Sequence, residues 1–369
     1  MSATFTEEQQ ELKTAAAKFL EEKSGSETVR ELMESDQGFD EAIWKQMAEL
    51  GWLGLALPEE YGGVGLGFAE LAILMEEMGK HLLPAPYLSS AVLAARTILH
   101  AGSDGQKTSM LPGIADGTVR GTLAFMDISG RHGPGADLPR AERSGTSFRI
   151  NGSTSFVLDG HTATSILVVA STEESALGLF AVAADQEAVS SVRLETIDGT
   201  RKQSRVDFSD AEAEPLERGG DEVVFRILDE AAVALSAEAV GTAQAALDIA
   251  VEYAKTRIQF GRPIGSFQGV KHKCADMLTE VEMARSAAYY GAWAAAEEPE
   301  ELPFAACIAK AYCSDAVFDV AARSIQILGG IGFTWEHDAH LYLRRAKSQE
   351  IYLGDASYHR ELLATRLGI

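Results

Sequence analysis

Along the first third of the chain, apolar residues return at helical spacing. Leu12, Ala15, Ala16, Phe19 and Leu20 lie on one helical face. Thr6-Glu7-Glu8-Gln9 just before them has the capping-box pattern, so a helix is predicted to begin there. Further helices are predicted over residues 39–50 and 68–80, separated by a Gly- and Pro-broken stretch, 51–63, whose apolar content marks an ordered loop. From about Gly121 the period shortens, and the runs at 121–125, 148–150, 153–158, 166–170 and 177–182 read as strands. Asn151-Gly152 sits between two of them and predicts a type I′ hairpin turn. After Asp221 the helical period returns for good, over 223–256, 268–297, 304–328 and 340–352, enough for a bundle. The predicted fold class is α+β, mostly α. An N-terminal helical domain (1–118) leads into a middle antiparallel β domain (119–221) and a C-terminal four-helix bundle (222–369).

Composition narrows the classes of function. At 369 residues and 46% hydrophobic, the chain can bury a large core. Acidic residues outnumber basic ones by 55 to 32, a formal charge of −23, with no block of Lys and Arg. That balance argues against nucleic acid or an anionic membrane as partner. It does not exclude a polyanionic ligand, because helix N-termini and a few placed arginines can reverse the local field. The N-terminus has no basic start followed by an apolar run, so no signal peptide is expected, and no stretch is expected to span a bilayer. Cys274, Cys307 and Cys313 show no disulfide arithmetic and no C-x-x-C spacing, which makes a reduced, cytoplasmic setting the expectation.

Three blocks carry more specific information. Leu57-Pro58-Glu59-Glu60-Tyr61-Gly62-Gly63 is one. Arg257-Ile258-Gln259-Phe260-Gly261-Arg262-Pro263-Ile264, followed by Phe267-Gln268, is the second. Gln326-Ile327-Leu328-Gly329-Gly330-Ile331-Gly332-Phe333 is the third. In this order and spacing they resemble the acyl-CoA dehydrogenase family over essentially the whole chain. The resemblance implies FAD as cofactor, an acyl-CoA thioester as substrate, an electron-transfer acceptor, and a dimer or tetramer of acyl-CoA dehydrogenase-type chains. It also implies that Arg257, Phe260, Gln326 and Gly330 reach across an interface to FAD held mainly by a neighbouring subunit. A guanidinium suits a pyrophosphate, and glycine permits close backbone approach. The plainer reading makes Arg257 a complement to a helix dipole and Phe260 a core residue.

The resemblance implies a glutamate that removes the α proton while hydride leaves for the flavin. Two positions carry it in the family. Here the first, in Tyr352-Leu353-Gly354-Asp355, holds Leu353, and the second holds Ala231, with Ala232 where an arginine usually follows. Asp355, two residues on, is the candidate substitute catalytic base; it reads equally as the N-cap of a final helix beginning near Ala356. Asp229 and Glu230 flank the second position, but one helical residue is a rotation of about 100°. In the β domain, Phe156 and Leu158 stand where the family places a tryptophan and a threonine against the flavin ring. Upstream, residues 126–130 match another of the family's motifs poorly.

Two principal readings follow. One is an FAD-dependent α,β-dehydrogenase of acyl-CoA thioesters, in lipid or steroid side-chain catabolism, with an unusual base. The other is a non-catalytic subunit that completes the FAD site of a partner chain in a heterotetramer, like the base-lacking subunits of heteromeric actinobacterial acyl-CoA dehydrogenases. A flavin oxidase or monooxygenase on the same fold is a third. No metal site is expected at His337 and His340, which lack an evident third ligand. Phe333 and Trp335 read as interface or core packing, and Arg344, Arg345 and Lys347 as complements to a helix end.

Overall fold

The computed structural model describes residues 5–130, 137–145, 147–173 and 177–369. In chain order the helices before the sheet are α1 (Glu7–Lys23), α2 (Ser26–Glu34), α3 (Glu41–Glu49), α4 (Phe68–Lys80), α5 (Ala95–Ala101) and α6 (Asp104–Ala115). A π-helical segment, Leu88–Ala94, runs directly into α5. The strands are β1 (Gly121–Ala124), β2 (Arg140–Ser144), β3 (Ser147–Leu158), β4 (Ser165–Ala170), β5 (Gly178–Ala183), β6 (Val189–Arg193) and β7 (Gln203–Pro215). Then come α7 (Asp221–Thr256), a ribbon of β8 (Ile258–Gln259) and β9 (Arg262–Pro263), and the helices α8 (Gln268–Glu297), α9 (Leu302–Leu328), α10 (Ala339–Ile351) and α11 (Ala356–Leu367). The order helical, β, helical is the one the hydrophobic periods predict, and the fold is mostly α with a central sheet.

Local chemistry explains several boundaries. Thr6 caps α1, and Gln9 answers with its side chain to the Thr6 amide, completing the predicted capping box. Ser103 and Gln106 repeat the device on α6. Asp40 caps α3 by accepting the Ile43 amide at 2.8 Å.

The residues group into two compact units. One comprises Met1–Glu31, Phe68–Leu83 and Ala232–Ile369, described from residue 5. Here α9 runs through the bundle, packed by α8, α10 and α11, while α1 lies on α4 and α4 on α8. Helices α4 and α7 meet backbone to backbone. A Cβ at Gly241 would lie 1.8 Å from the Glu76 carbonyl oxygen, and one at Gly79 would lie 2.0 Å from that of Glu238, so only glycine fits either position. Several buried charges are paired: Arg345 with Glu238, and Glu76 with Lys13, Arg285 and the Tyr289 hydroxyl. Arg345 is therefore a core ion pair, not the dipole complement its place in the sequence suggests.

The second unit comprises Leu32–Gly67 and Pro84–Ala231. Its sheet has the order β1-β4-β5-β7-β3-β2, with β6 also paired to β7. Its hydrophobic core includes Ile150, Val157, Ile166, Val168, Phe180, Val182, Val206 and Phe208.

Three expectations need correction. Asn151-Gly152 is not a hairpin turn but the middle of β3, beside a register shift after Ile150. The Asn151 side-chain oxygen accepts the Asp210 amide across the strands, and Gly152 (φ +128°) lets β3 pass Pro139 closely. The hairpin lies earlier, between β2 and β3. The sheet is also not wholly antiparallel: β1 pairs parallel to β4, which the long connection through β2 and β3 permits. Finally, Leu302–Phe333 is long and apolar enough by composition to cross a membrane. Its length and hydropathy are those of the bundle's central helix, most of whose residues are buried against neighbours.

Candidate functional site

The ends of α7 and α9 pack together. Ile249 and Tyr253 rest on a cluster of Ile325, Leu328 and Ala339, so the two glycine-bearing blocks emerge from the same end of the bundle. After α7 the chain folds at once into the β8–β9 ribbon. The Arg257 amide donates to Tyr253 O at 2.8 Å, and its carbonyl accepts the Ile264 amide at 2.9 Å, closing the ribbon's base. Phe260 (φ +53°) and Gly261 (φ +79°) form the tip, with the paired left-handed residues a two-residue hairpin demands. That turn holds Phe260 outward, 91% exposed, which excludes the core reading.

The Arg257 side chain is exposed and forms no ion pair among the described residues. Gln326 is likewise exposed on the last turn of α9. Gly329 (φ +63°) and Gly330 both open on empty space where a Cβ would be. Phe333, 79% exposed, and Trp335 lie just beyond and are not core residues. One end of the bundle therefore presents an unpaired guanidinium, an amide, a solvent-facing phenyl ring and uncovered glycine backbone. This set fits a ligand that combines anionic and planar parts.

The loop expected to carry the base is tightly built. Leu353 sits at φ +63° and Gly354 at φ +100°, and the leucine side chain is buried, with 6% of the residue exposed. Asp355 caps α11, its Oδ1 accepting the Tyr358 amide at 2.8 Å. The Leu353 carbonyl accepts from His359 Nε2 at 2.8 Å, and the Gly354 carbonyl from Lys310 Nζ at 2.7 Å. Motif reasoning missed Lys310 and His359. The signal was a lysine amid the Ala-rich face of an apolar helix.

In the other unit Ala231 is fully buried and offers no polar atom. Neighbouring Glu230 is fixed by Arg96 (Nε at 2.6 Å, Nη2 at 3.0 Å) and His100 (Nε2 at 2.9 Å), with Arg226 at 3.4 Å. Burial alone would raise its carboxyl, but Arg96 and His100 outweigh it and hold Glu230 down to about 2. It is an anion in a clamp and a poor proton acceptor at neutral pH. Phe156 (φ +57°) is partly exposed, whereas Leu158 is buried and uses its carbonyl to accept the Thr122 hydroxyl at 2.6 Å. His337 accepts the Ala339 amide, and His340 stands edge-on to Trp335.

A helical segment, a β sheet and a long-helix bundle in one chain, with glycine-rich and arginine-phenylalanine blocks at one bundle end, define a flavoprotein dehydrogenase architecture. The family model described as acyl-CoA dehydrogenase, C-terminal domain, matches residues 218–368, and that for the N-terminal domain matches residues 6–118. This chain belongs to the acyl-CoA dehydrogenase family, oxidoreductases that use FAD to dehydrogenate acyl-CoA thioesters. It is 33% identical to the acyl-CoA dehydrogenase IpdE2 of Mycobacterium tuberculosis over 341 residues, 92% of this chain and 91% of that protein. Among solved structures it resembles a variant of the Tcur3481-Tcur3483 steroid ACAD, with 32% identity, 98% of each chain covered and a TM-score of 0.89. The ChsE4-ChsE5 complex from Mycobacterium tuberculosis matches at 29% identity and a TM-score of 0.92, over 100% of this chain and 99% of that one.

Proposed function

We propose that this chain acts in acyl-CoA α,β-dehydrogenation as the subunit that completes a flavin site, while a partner chain of the same family supplies the proton-abstracting carboxylate. The observation that carries this reading is the state of the base positions. Leu353 and Ala231 are apolar and buried, Asp355 is engaged in capping α11, and Glu230 is clamped by Arg96 and His100. None of the four meets the need for a carboxylate of raised pKa in a water-poor pocket.

Bound FAD would supply the hydride acceptor. In this reading Arg257 would pair with its phosphates, Phe260 and Gln326 would contact it, and the glycine at 330 would let backbone approach it. Their exposure in the single chain supports service to a cofactor seated on a second chain. The Tcur3481-Tcur3483 and ChsE4-ChsE5 structures are pairs by their names, and the first is called a steroid ACAD. Both facts support a hetero-oligomer acting on a CoA ester of a bulky lipid or steroid side chain.

The reading is tested by co-purifying the chain with a base-bearing chain of the same family and titrating the complex anaerobically with acyl-CoA esters. Bleaching of flavin absorbance by a steroid or lipid acyl-CoA supports it. Equal bleaching by the base-bearing chain alone would refute the subunit role.

A further inference from the structure

Lys310 lies in the middle of α9, 1% exposed, and a buried ammonium is costly unless every donor is used. Its three donors meet three acceptors: Ser314 Oγ at 2.8 Å, Glu350 O at 3.0 Å and Gly354 O at 2.7 Å. Ser314 is one turn along the same helix. The other two are backbone carbonyls on either side of the turn that ends α10, so one side chain ties α9 to both. His359, on the first turns of α11 and 3% exposed, holds the remaining carbonyl of the turn, Leu353 O. A carbonyl can only accept, so His359 Nε2 carries the proton.

The turn itself is strained. Leu353 at φ +63° is a left-handed non-glycine residue with a bulky side chain, a conformation that persists only where surroundings impose it. Its local backbone hydrogen bonds include the Tyr352 amide to Ser348 O and the Gly354 amide to Ile351 O. Two buried donors from two different helices, each meeting a successive carbonyl, over-determine the backbone at residues 353 and 354.

We infer that Lys310 and His359 are positioning residues which hold the Tyr352–Asp355 turn, and with it the side chain at position 353, in one fixed orientation. The inference rests on the reading that this turn is part of the family's acyl-CoA site. The two residues act through the backbone of the turn.

Hydrogen exchange by mass spectrometry on the full chain tests this without cofactor or turnover. Lys310→Met and His359→Phe are each expected to raise exchange of the amides at 351–355 about tenfold, the effect of losing one or two hydrogen bonds. Helices α1 and α8 keep their protection. His359→Gln, which retains an N–H donor, restores slow exchange in the turn. Unchanged exchange at 351–355, or a rise spread equally over α1 and α8, overturns the inference, as does a His359→Gln variant as open as His359→Phe. If Lys310→Met does not fold, the His359 pair decides alone. Because no flavin is involved, the result is independent of whether the chain completes a partner's site.

Discussion

Arg96 and Glu230 form a bidentate pair in which the carboxylate is wholly buried and the guanidinium nearly so, Nε and Nη2 donating at 2.6 and 3.0 Å. The pair joins the helix that follows the π-helical segment to the start of α7. It also removes the carboxylate nearest one expected base position from proton chemistry. Removing one partner of such a pair leaves the other charge uncompensated. Glu230→Gln is predicted to lower unfolding free energy by about 3–5 kcal/mol in urea denaturation. Equal stability of variant and wild type would show that the clamp contributes nothing.

The same group gives a pH dependence. Glu230 is held at about 2 in the folded chain, below its ordinary value of 4.5. A carboxyl lowered on folding contributes stability that is fully present above the unfolded value and is lost as pH falls through the folded one. Thermal denaturation is predicted to show a loss between about pH 4.5 and pH 2 that is smaller in Glu230→Gln. Parallel curves for the two proteins would contradict it.

Asp355 offers a choice between cap and base that substitution resolves. As a cap, Asp355→Ala should cost about 1 kcal/mol of stability and Asp355→Asn almost nothing, since asparagine caps as well. Neither should alter acyl-CoA-dependent flavin bleaching in a reconstituted complex. A large loss of bleaching in Asp355→Asn, with stability intact, would make Asp355 the base.

Leu353→Glu probes the turn from the other side. If position 353 keeps the family's orientation, a carboxylate there should gain slow dehydrogenation of acyl-CoA in the FAD-loaded complex, read as enoyl-CoA product. No product from a folded, flavin-bearing variant would mean that more than the carboxylate has been lost.

The fold was legible where one period ran long. The 3.6-residue pattern placed α4 and α8 at their observed ends, and the capping box placed the start of α1. It failed where local and tertiary signals compete. Asn151-Gly152 has ideal turn chemistry, yet β7 pairs along most of β3 and the dipeptide becomes an irregularity within a strand. Strand β7 itself escaped notice, because its inward positions after Phe208 are only Ala211 and Ala213. At the candidate site, the blocks at 257–264 and 326–333 stood out through their resemblance to the family's motifs. Lys310, His359 and the Arg96–Glu230 pair were not, since each acts on groups far along the chain that only folding brings near.

The proposed cofactor residues separate function from stability. Arg257→Gln and Gln326→Ala are predicted to change the stability of the isolated chain by no more than about 0.5 kcal/mol, because neither side chain is buried. Both should reduce FAD retention by the assembled complex on gel filtration. A drop in stability without flavin loss would return Arg257 to a structural role.

The most direct measurement is the FAD-to-protein ratio, from visible absorbance, of the chain purified alone and again after co-expression with a base-bearing paralogue. A chain that completes a partner's site should hold little or no FAD alone and acquire it in the complex. Close to one FAD per chain in the isolated protein, with acyl-CoA bleaching it, would contradict the subunit role and make this chain a self-sufficient dehydrogenase.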